Sequence, residues 1–162
     1  MMIVVLTLLI LSFMQAVFLY MKVSNQITKQ HEAFYQLEAV ANKLAAEIYD
    51  ADCVVTAEDP NQVIEMLLQS HGCSLTDNHH YFSYLIDDLG VIPCLYILSG
   101  KEHYSSHHWL VTVATGPPKQ EIMQLRIARP VKTVTCEFNE ARQINQGIIS
   151  WRYLPSGMHH HG

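Results

Sequence analysis

The chain has 162 residues, a formal net charge of −5 and charged residues at only 15% of its positions. This length predicts one globular domain beyond an apolar N-terminus, and that uncharged N-terminus accounts for much of the low charged fraction. Because no basic run or stripe occurs, we expect no nucleic-acid partner.

The N-terminal segment, MMIVVLTLLILSFMQAVFLYMK, carries no charge before Lys22. A helix of these 21 uncharged residues measures about 31 Å, which matches the apolar core of a bilayer. A cleaved secretion signal would show a basic start, a shorter apolar core and small residues before the cut. Residues 14–22, MQAVFLYMK, are bulky at most positions. We therefore predict an uncleaved transmembrane helix over residues 1–22.

The helix is predicted to continue as an amphipathic half over residues 23–52. No Gly or Pro occurs before Pro60, so nothing interrupts a helix of about 50 residues. Apolar residues recur at steps of three and four, which is typical of one buried helix face. The residues of this stripe are Val23, Ile27, Phe34, Leu37, Ala41, Leu44, Ala45 and Ile48. We expect the stripe to lie on the domain that follows.

Four cysteines, Cys53, Cys73, Cys94 and Cys136, lie beyond the apolar segment. They form no CxxC pair, which argues against zinc-ribbon and thioredoxin-like sites. An even number of spaced cysteines behind an export-type segment predicts two disulfide bonds in an oxidising compartment. Of the three pairings we favour the sequential one, Cys53–Cys73 with Cys94–Cys136. Four buried free thiols are the alternative.

Two signals disagree about the side of the membrane that holds the C-terminal domain. Lys22 and Lys29 follow the span and no basic residue precedes it, which favours the cytoplasm. The predicted disulfides favour the oxidising side. We give the cysteines more weight because Glu32 and Glu38 dilute the two lysines.

A second helix is predicted to start at Asp59-Pro60, with Asp as N-cap and Pro in the first turn. Its end is predicted at Gly72, which suits a C-terminal cap. Its buried stripe is predicted to be Val63, Ile64, Leu67 and Leu68.

From residue 80 the pattern changes to strands. Residues 123–129, MQLRIAR, alternate apolar and other side chains, which predicts a half-exposed strand of an antiparallel sheet. We expect a meander of about four to six strands. The candidates are HYFSYLIDDL, CLYILSG, HHWLVTVATG, IMQLRIARPV, TVTCEF and GIISWRYL, with breaks at Leu89-Gly90, Ser99-Gly100, Gly116-Pro117-Pro118 and Gln146-Gly147.

The predicted fold class is therefore α+β, with a long N-terminal helix packed on an antiparallel β-sheet. The disulfide-containing head domain is predicted over residues 53–155, followed by a flexible tail over residues 156–162.

This layout resembles that of type IV pilins and of type II secretion pseudopilins. MMIVVLTLLIL resembles the apolar part of the pilin N-terminal helix, and YLIDDLGVIPC, HHWLVTVATG and GIISWRYL resemble the sheet region of PilX-like minor pilins of Gram-negative bacteria. The resemblance covers nearly the whole chain in layout, and its sequence match is specific only at the N-terminus. It implies a single-pass inner-membrane protein with a periplasmic head domain, extracellular once a pilus is assembled. The implied partners are other pilin subunits, the pilus assembly machinery and the membrane, and cell adhesion is an implied role.

The N-terminus departs from the pilin pattern. Pilins begin with a basic leader, a glycine at the peptidase cut and a glutamate at the fifth mature position. In that family the glutamate is the buried partner of the neighbouring subunit's amino group. Here no acid precedes Glu32 and no Gly precedes the apolar run. Either the first methionine is internal to a longer protein, or the chain resembles the fibre-tip subunits that lack the glutamate. We favour the first explanation, since a leader would also supply the missing basic residues.

Histidines are the most conspicuous candidates for a metal site. His103, His107 and His108 form HxxxHH, a spacing that binds metal when it lies on one helix face. The context, GKEHYSSHHWLVTV, reads instead as a turn leading into a strand, where adjacent side chains point to opposite faces. We expect exposed loop histidines and no metal at this cluster. His79-His80 is a second pair, and His159-His160-His161 is capable of adventitious metal binding, but we assign no metal site to the chain.

Other candidate residues point to structure rather than catalysis. Asp87 and Asp88 are predicted at a strand end, where they satisfy backbone donors. Trp109 and Trp151 are predicted in the core. No GxSxG, P-loop, GxGxxG or HExxH motif occurs, and four pairing cysteines leave no distinguished nucleophile. We expect neither enzymatic activity nor a cofactor.

Two functions remain open. The first is a structural subunit, a minor pilin or pseudopilin that assembles through its N-terminal helix. Its packing residues are predicted to be Val4, Leu8, Ile10, Leu11, Met14, Phe18 and Met21. The second is a single-span, membrane-anchored periplasmic accessory or binding protein, in which the helix is only a tether.

Overall fold

The computed structural model describes residues 2–48, 53–57, 59–69, 71–77, 80–117, 120–132, 136 and 141–155. Its elements are α1 (Met2–Ala46), β1 (Val54–Val55), α2 (Pro60–Leu68), β2 (Cys73–Asp77), β3 (His80–Ser99), β4 (Glu102–Thr115), β5 (Ile122–Val131), β6 (Arg142–Ile144) and β7 (Gly147–Leu154). The chain divides into two compact units, Met1–Gln36 and Leu37–Gly162. The predicted tail lies outside the described residues.

The first unit consists of the N-terminal part of α1. As predicted, no residue breaks the helix, because neither Gly nor Pro occurs within it. Large apolar side chains are exposed along residues 3–21. Val23 and Ile27, which the sequence assigns to the buried stripe, are also exposed.

The second unit begins with the last turns of α1. The stripe is buried only from Leu37 onward, and its buried members are Leu37, Ala41, Leu44, Ala45 and Ile48. Val40, which the sequence did not assign to the stripe, is buried with them. Arg129 of β5 donates from Nη2 to the carbonyls of Ala45 at 2.7 Å and Ala46 at 3.2 Å. These carbonyls belong to the end of a helix, where no backbone N–H is available to them. The guanidinium therefore anchors the end of α1 to the sheet.

Within the described residues the sheet has seven strands, in the order β1-β3-β4-β5-β7, with β2 and β6 also paired to β3. The four long strands are antiparallel, and β1 and β6 run parallel to β3. The α+β class is confirmed, whereas the purely antiparallel sheet is wrong because the sheet is mixed. The two parallel strands have two and three residues, too few to show an alternation in the sequence. No hairpin joins either to β3, so no turn fixes an antiparallel direction.

Strand β3 runs through the break predicted at Leu89-Gly90. Its pairing with β4 shifts register between Asp88 and Gly90, where Gly90 has φ 75°, so the glycine marks a bulge instead of a strand end. A second shift lies between Ile92 and Tyr96. The predicted turn at Ser99-Gly100 is confirmed, with Gly100 at φ 66°. Of the candidate strand TVTCEF, only Cys136 is described.

Strands β4 and β5 are buried on both faces. Directly paired residues carry their side chains on the same face, so the registers define two surfaces. The apolar face has as its buried residues Ile86, Trp109, Val111, Val113, Met123, Leu125 and Ile127. The polar face contains Asp87, Ser106, His108, Thr112, Gln124 and Arg126.

The prediction that MQLRIAR is half exposed is wrong. Gln124 and Ala128, on the polar face, are as buried as Leu125 on the other. The alternation of apolar and other side chains in this strand therefore distinguishes the apolar face from the polar face, and does not distinguish a buried face from an exposed one. Gln124 is accommodated because Thr112, directly opposite on β4, accepts a hydrogen bond from its amide.

Helix α2 covers one end of the polar-face side of the sheet. Asp59 is its N-cap and accepts from the backbone N–H of Asn61 at 2.9 Å, as predicted. Its buried residues pack in one cluster with the strands, formed by Val63, Ile64, Leu67, Leu85, Ala114, Ile122 and Leu154. The predicted cap at Gly72 is wrong, since the helix ends at Leu68 with Gln69 as C-cap. A Cβ at Gly72 would lie 3.0 Å from the carbonyl oxygen of Tyr84, so close packing against β3 favours the glycine.

Candidate assembly helix and buried polar cluster

The predicted packing residues of α1 lie on its exposed surface. Ile10, Leu11, Met14, Phe18 and Met21 have 52% to 69% of their surface exposed, and the side chains of Val4 and Leu8 lie outside the described part. The exposed apolar surface extends around the helix to Ile3, Phe13 and Leu19. α1 is long and apolar enough to cross a membrane. Such a helix, apolar all round, suits lipid or a bundle of other helices.

Thr7 and Gln15, two of the polar side chains in this apolar stretch, differ in their hydrogen bonding. The Thr7 hydroxyl donates to the Ile3 carbonyl at 3.1 Å, one turn earlier, so its proton is satisfied within its own helix. Gln15 is exposed, and its amide makes no hydrogen bond within the part of the chain that the structure describes.

The predicted disulfide bonds are present in the second unit. Cys53 is bonded to Cys73, and Cys94 to Cys136, which is the sequential pairing. The first joins the residue before β1 to the start of β2. The second attaches Cys136 to the irregular stretch of β3 between Ile92 and Tyr96.

A chain of hydrogen bonds crosses three strands of the polar face. Arg126 donates from Nε to Nδ1 of His108 at 3.2 Å. This leaves the His108 proton on Nε2, which lies 2.9 Å from the Ser106 hydroxyl. Ser106 in turn donates to the Leu95 carbonyl at 3.0 Å. Leu95 follows Cys94, so the chain of bonds ends at the stretch that carries the second disulfide.

The imidazole of His108 is held neutral. Its exposed fraction is 0%, and burial together with the charge of Arg126 lowers its pKa from 6.5 to about 4. Protonation would put a second cation beside the Arg126 guanidinium and remove the acceptor at Nδ1. The neutral imidazole of His108 therefore links the charged Arg126 of β5 to Ser106 of β4 near pH 7.

The neighbouring carboxylates hold backbone groups. Asp87 accepts from the N–H of Ala57 at 2.8 Å, and Asp88 accepts from that of Gly90 at 2.8 Å. Both therefore have the predicted role, but they lie inside β3 rather than at a strand end. Burial raises the pKa of Asp87, whose Oδ2 has no hydrogen-bond partner among the described residues. Burial also acts to raise the pKa of Asp88, but its bonds to His107 and Gly90 outweigh that effect and lower it.

The adjacent histidines point to opposite faces, as predicted, but they are not exposed loop residues. His107 pairs with Asp88 on the apolar-face side and stacks on Trp109 with ring centroids 3.9 Å apart, whereas His108 belongs to the polar face. Only His103 of the three is exposed, because it lies near the β3–β4 turn. No group of three or more potential metal ligands occurs among the described residues. His79 and His159–His161 lie outside them.

The two tryptophans differ. Trp109 is buried in the apolar face, as predicted, whereas Trp151 on the edge strand β7 is 63% exposed, so its assignment to the core is wrong. Strand β7 pairs only with β5 among the described strands, and a side chain there has neighbours on one side only.

Sequence reasoning missed the Arg126–His108–Ser106 cluster. Each of the three residues resembles an ordinary exposed position of an alternating strand. The signal in the sequence was weak. His108 and Ser106 are two residues apart on β4, as on an exposed strand face, and the partners that show them to be interior, Leu95 and Arg126, lie 11 and 18 residues away.

Comparison with known proteins gives no family assignment. No family model, no curated protein and no solved structure matches the chain.

Proposed function

We propose that this protein is a structural subunit, a minor pilin or pseudopilin, of a type IV pilus or a type II secretion-like fibre. The observation that carries the proposal is α1, an unbroken helix from Met2 to Ala46. Its residues 3–21 expose large apolar side chains, while its last turns are buried in the second unit. An anchor alone does not need a helix that continues into the folded domain, whereas a subunit held by its helix in a fibre does.

The proposed mechanism is assembly. Burying a large apolar side chain is worth about 1.5–3 kcal/mol when it leaves water. The same side chain gains far less when it leaves lipid for a helix bundle, because both surroundings are apolar. The inner membrane would therefore store subunits at a free energy close to that of the fibre, and the assembly machinery would supply the work of extraction. The domain with the sheet would face outward and contact neighbouring subunits.

The alternative is a membrane-anchored periplasmic accessory or binding protein, and it requires different properties of α1. A tether needs only length and hydropathy, whereas an assembly helix needs particular side chains at particular positions. A substitution that keeps length and hydropathy therefore separates the two functions.

The experiment replaces residues 2–21 with a leucine-rich helix of equal length in a strain that makes the protein. Both wild-type and substituted chains are expected in the membrane fraction, and only the wild type in fibres sheared from the cell surface. Wild-type protein absent from fibres, with normal fibres in a deletion strain, would falsify the proposal. Equal incorporation of the substituted chain would favour a helix without specific packing.

A matched pair of variants refines the test. Phe18 belongs to the predicted packing set and Phe13 does not, although both rings are exposed to a similar degree, 69% and 72%. Phe18→Ala is expected to reduce incorporation into fibres more than Phe13→Ala, with equal amounts of both variants in the membrane. Equal incorporation of the two variants would count against the predicted packing set.

A further inference from the structure

A single amide side chain lies within the apolar part of α1. Gln15 precedes Lys22 by seven residues, which places it about 10 Å deeper in a helix that rises 1.5 Å per residue. The apolar core of a bilayer is about 30 Å thick. If Lys22 marks the surface of the membrane, the amide therefore lies inside the apolar core.

The amide of Gln15 lacks the local partner that Thr7 has. The Thr7 hydroxyl donates to the Ile3 carbonyl, so it leaves no unsatisfied hydrogen-bond donor in the lipid. The amide of Gln15 carries two N–H donors and a carbonyl acceptor, and none of them is bonded within the described chain. A polar group without a partner in an apolar medium costs free energy until a second molecule supplies one.

Gln15 also occupies a particular place in the sequence pattern. Val4, Leu8, Leu11, Gln15 and Phe18 follow one another at steps of four, three, four and three residues. This is the a/d spacing along which two helices pair, and Gln15 stands at an a position. A single polar residue at an a position fixes the register and the number of helices that associate. Lys22, the next a position, ends the apolar seam.

We propose that Gln15 joins two copies of this chain, parallel in the membrane, through reciprocal hydrogen bonds between their side-chain amides. Two copies inserted in the same orientation hold Gln15 at the same depth. The amide donates and accepts, so it is complementary to itself, whereas a different helix would need a suitable polar group at that depth. The proposal rests on the membrane insertion in the proposed function, and it adds a dimer that exists in the membrane before assembly.

The test is sedimentation equilibrium of the purified full chain in density-matched detergent micelles. The wild type is expected to dimerise reversibly. Gln15→Leu is expected to weaken dimerisation by about 3- to 30-fold, the range measured for hydrogen bonds between membrane helices. Gln15→Asn should retain most of the affinity, since it keeps the amide. Thr7→Val is the matched control, because it removes a hydroxyl that is already satisfied, and it should leave dimerisation unchanged.

Several results would overturn this pairing. They are a monomeric wild type, a dimer that Gln15→Leu leaves intact, and equal weakening by Gln15→Leu and Thr7→Val. Capture of a different membrane protein through Gln15, with no self-association, would also overturn it.

Extraction of cell membranes with alkaline carbonate separates this inference from the proposed function. A chain that resists extraction but remains monomeric contradicts only the Gln15 pairing. A chain released by carbonate contradicts membrane insertion, and the pairing and the proposed storage of subunits fail with it.

Discussion

Both faces of the central sheet are buried, but only the polar face buries a row of hydrogen-bonded polar side chains beside its apolar residues. On the apolar face, Val111 and Leu125 need only volume and contact, and their burial is favourable at almost any register. On the polar face, Thr112 and Gln124 are buried as a hydrogen-bonded pair. A buried polar group costs free energy when its partner is lost. The apolar face therefore supplies stability, whereas the polar face makes one strand arrangement much better than its neighbours.

The polar face therefore helps to fix the register in which β4 pairs with β5. Shifting a strand by one residue moves its side chains to the other face of the sheet. Such a shift between β4 and β5 would separate Thr112 from Gln124 and His108 from Arg126. Three predictions follow the difference between the faces, beginning with the largest expected effect.

Truncating a buried side chain of the apolar face should lower the free energy of unfolding more than the changes to the polar face described below. Leu125→Ala is expected to lower the free energy of unfolding by about 2–5 kcal/mol, because the surrounding β-sheet cannot close the cavity. The measurement is denaturant unfolding of the full chain in micelles, followed by tryptophan fluorescence. Ile148→Ala on the edge strand is the control, since Ile148 is exposed, and its effect should stay within about 0.5 kcal/mol. Similar losses for the two variants would contradict the assignment of stability to the apolar face.

The polar face should make stability depend on pH through His108. Above pH 6.5 the imidazole is neutral in both the folded and the unfolded chain. Below it, the unfolded chain binds a proton that the folded chain takes up only near the lowered pKa of about 4. The contribution of His108 to the free energy of unfolding is therefore fully present above pH 6.5 and falls, by roughly 3 kcal/mol, as the pH drops to 4.

His108→Gln isolates this effect, because glutamine keeps a polar side chain but does not titrate. Its unfolding free energy should change less than that of the wild type between pH 6.5 and 4, whatever the other groups contribute. Parallel pH profiles for the two proteins would show that His108 is protonated in the folded state, against its assigned role.

Removing one partner of the Thr112–Gln124 hydrogen bond should lower the free energy of unfolding more than removing both partners. Thr112→Val leaves the buried amide of Gln124 without its acceptor and is expected to cost about 1–3 kcal/mol. The double variant Thr112→Val with Gln124→Leu should recover much of this loss, since no unpartnered group then remains. A double-mutant cycle of unfolding free energies measures the coupling. Strictly additive costs would mean that the hydrogen bond adds nothing to the specificity of the pairing.

Some elements could be predicted because their causes are local. The uninterrupted α1 follows from the absence of Gly and Pro, and α2 starts at Asp59-Pro60 because the cap needs only neighbouring residues. The turn at Gly100 is local in the same way. Gly90 shows where local prediction fails. It is a glycine like Gly100, but it forms a bulge and not a turn, because the strand continues to pair with β4 on both sides of it.

The sequence alone predicts a long helix, uncharged up to Lys22, before an α+β domain with two disulfides, because periodicity, composition and cysteine count are properties of the chain. Only the tertiary structure decided which residues those patterns bury. The stripe of α1 is buried from Leu37 and not from Val23, and the polar residues of β4 and β5 are interior. Burial depends on what covers a surface, and hydrogen bonds such as that between Arg126 and His108 join residues 18 positions apart in the chain. No local pattern encodes those partners.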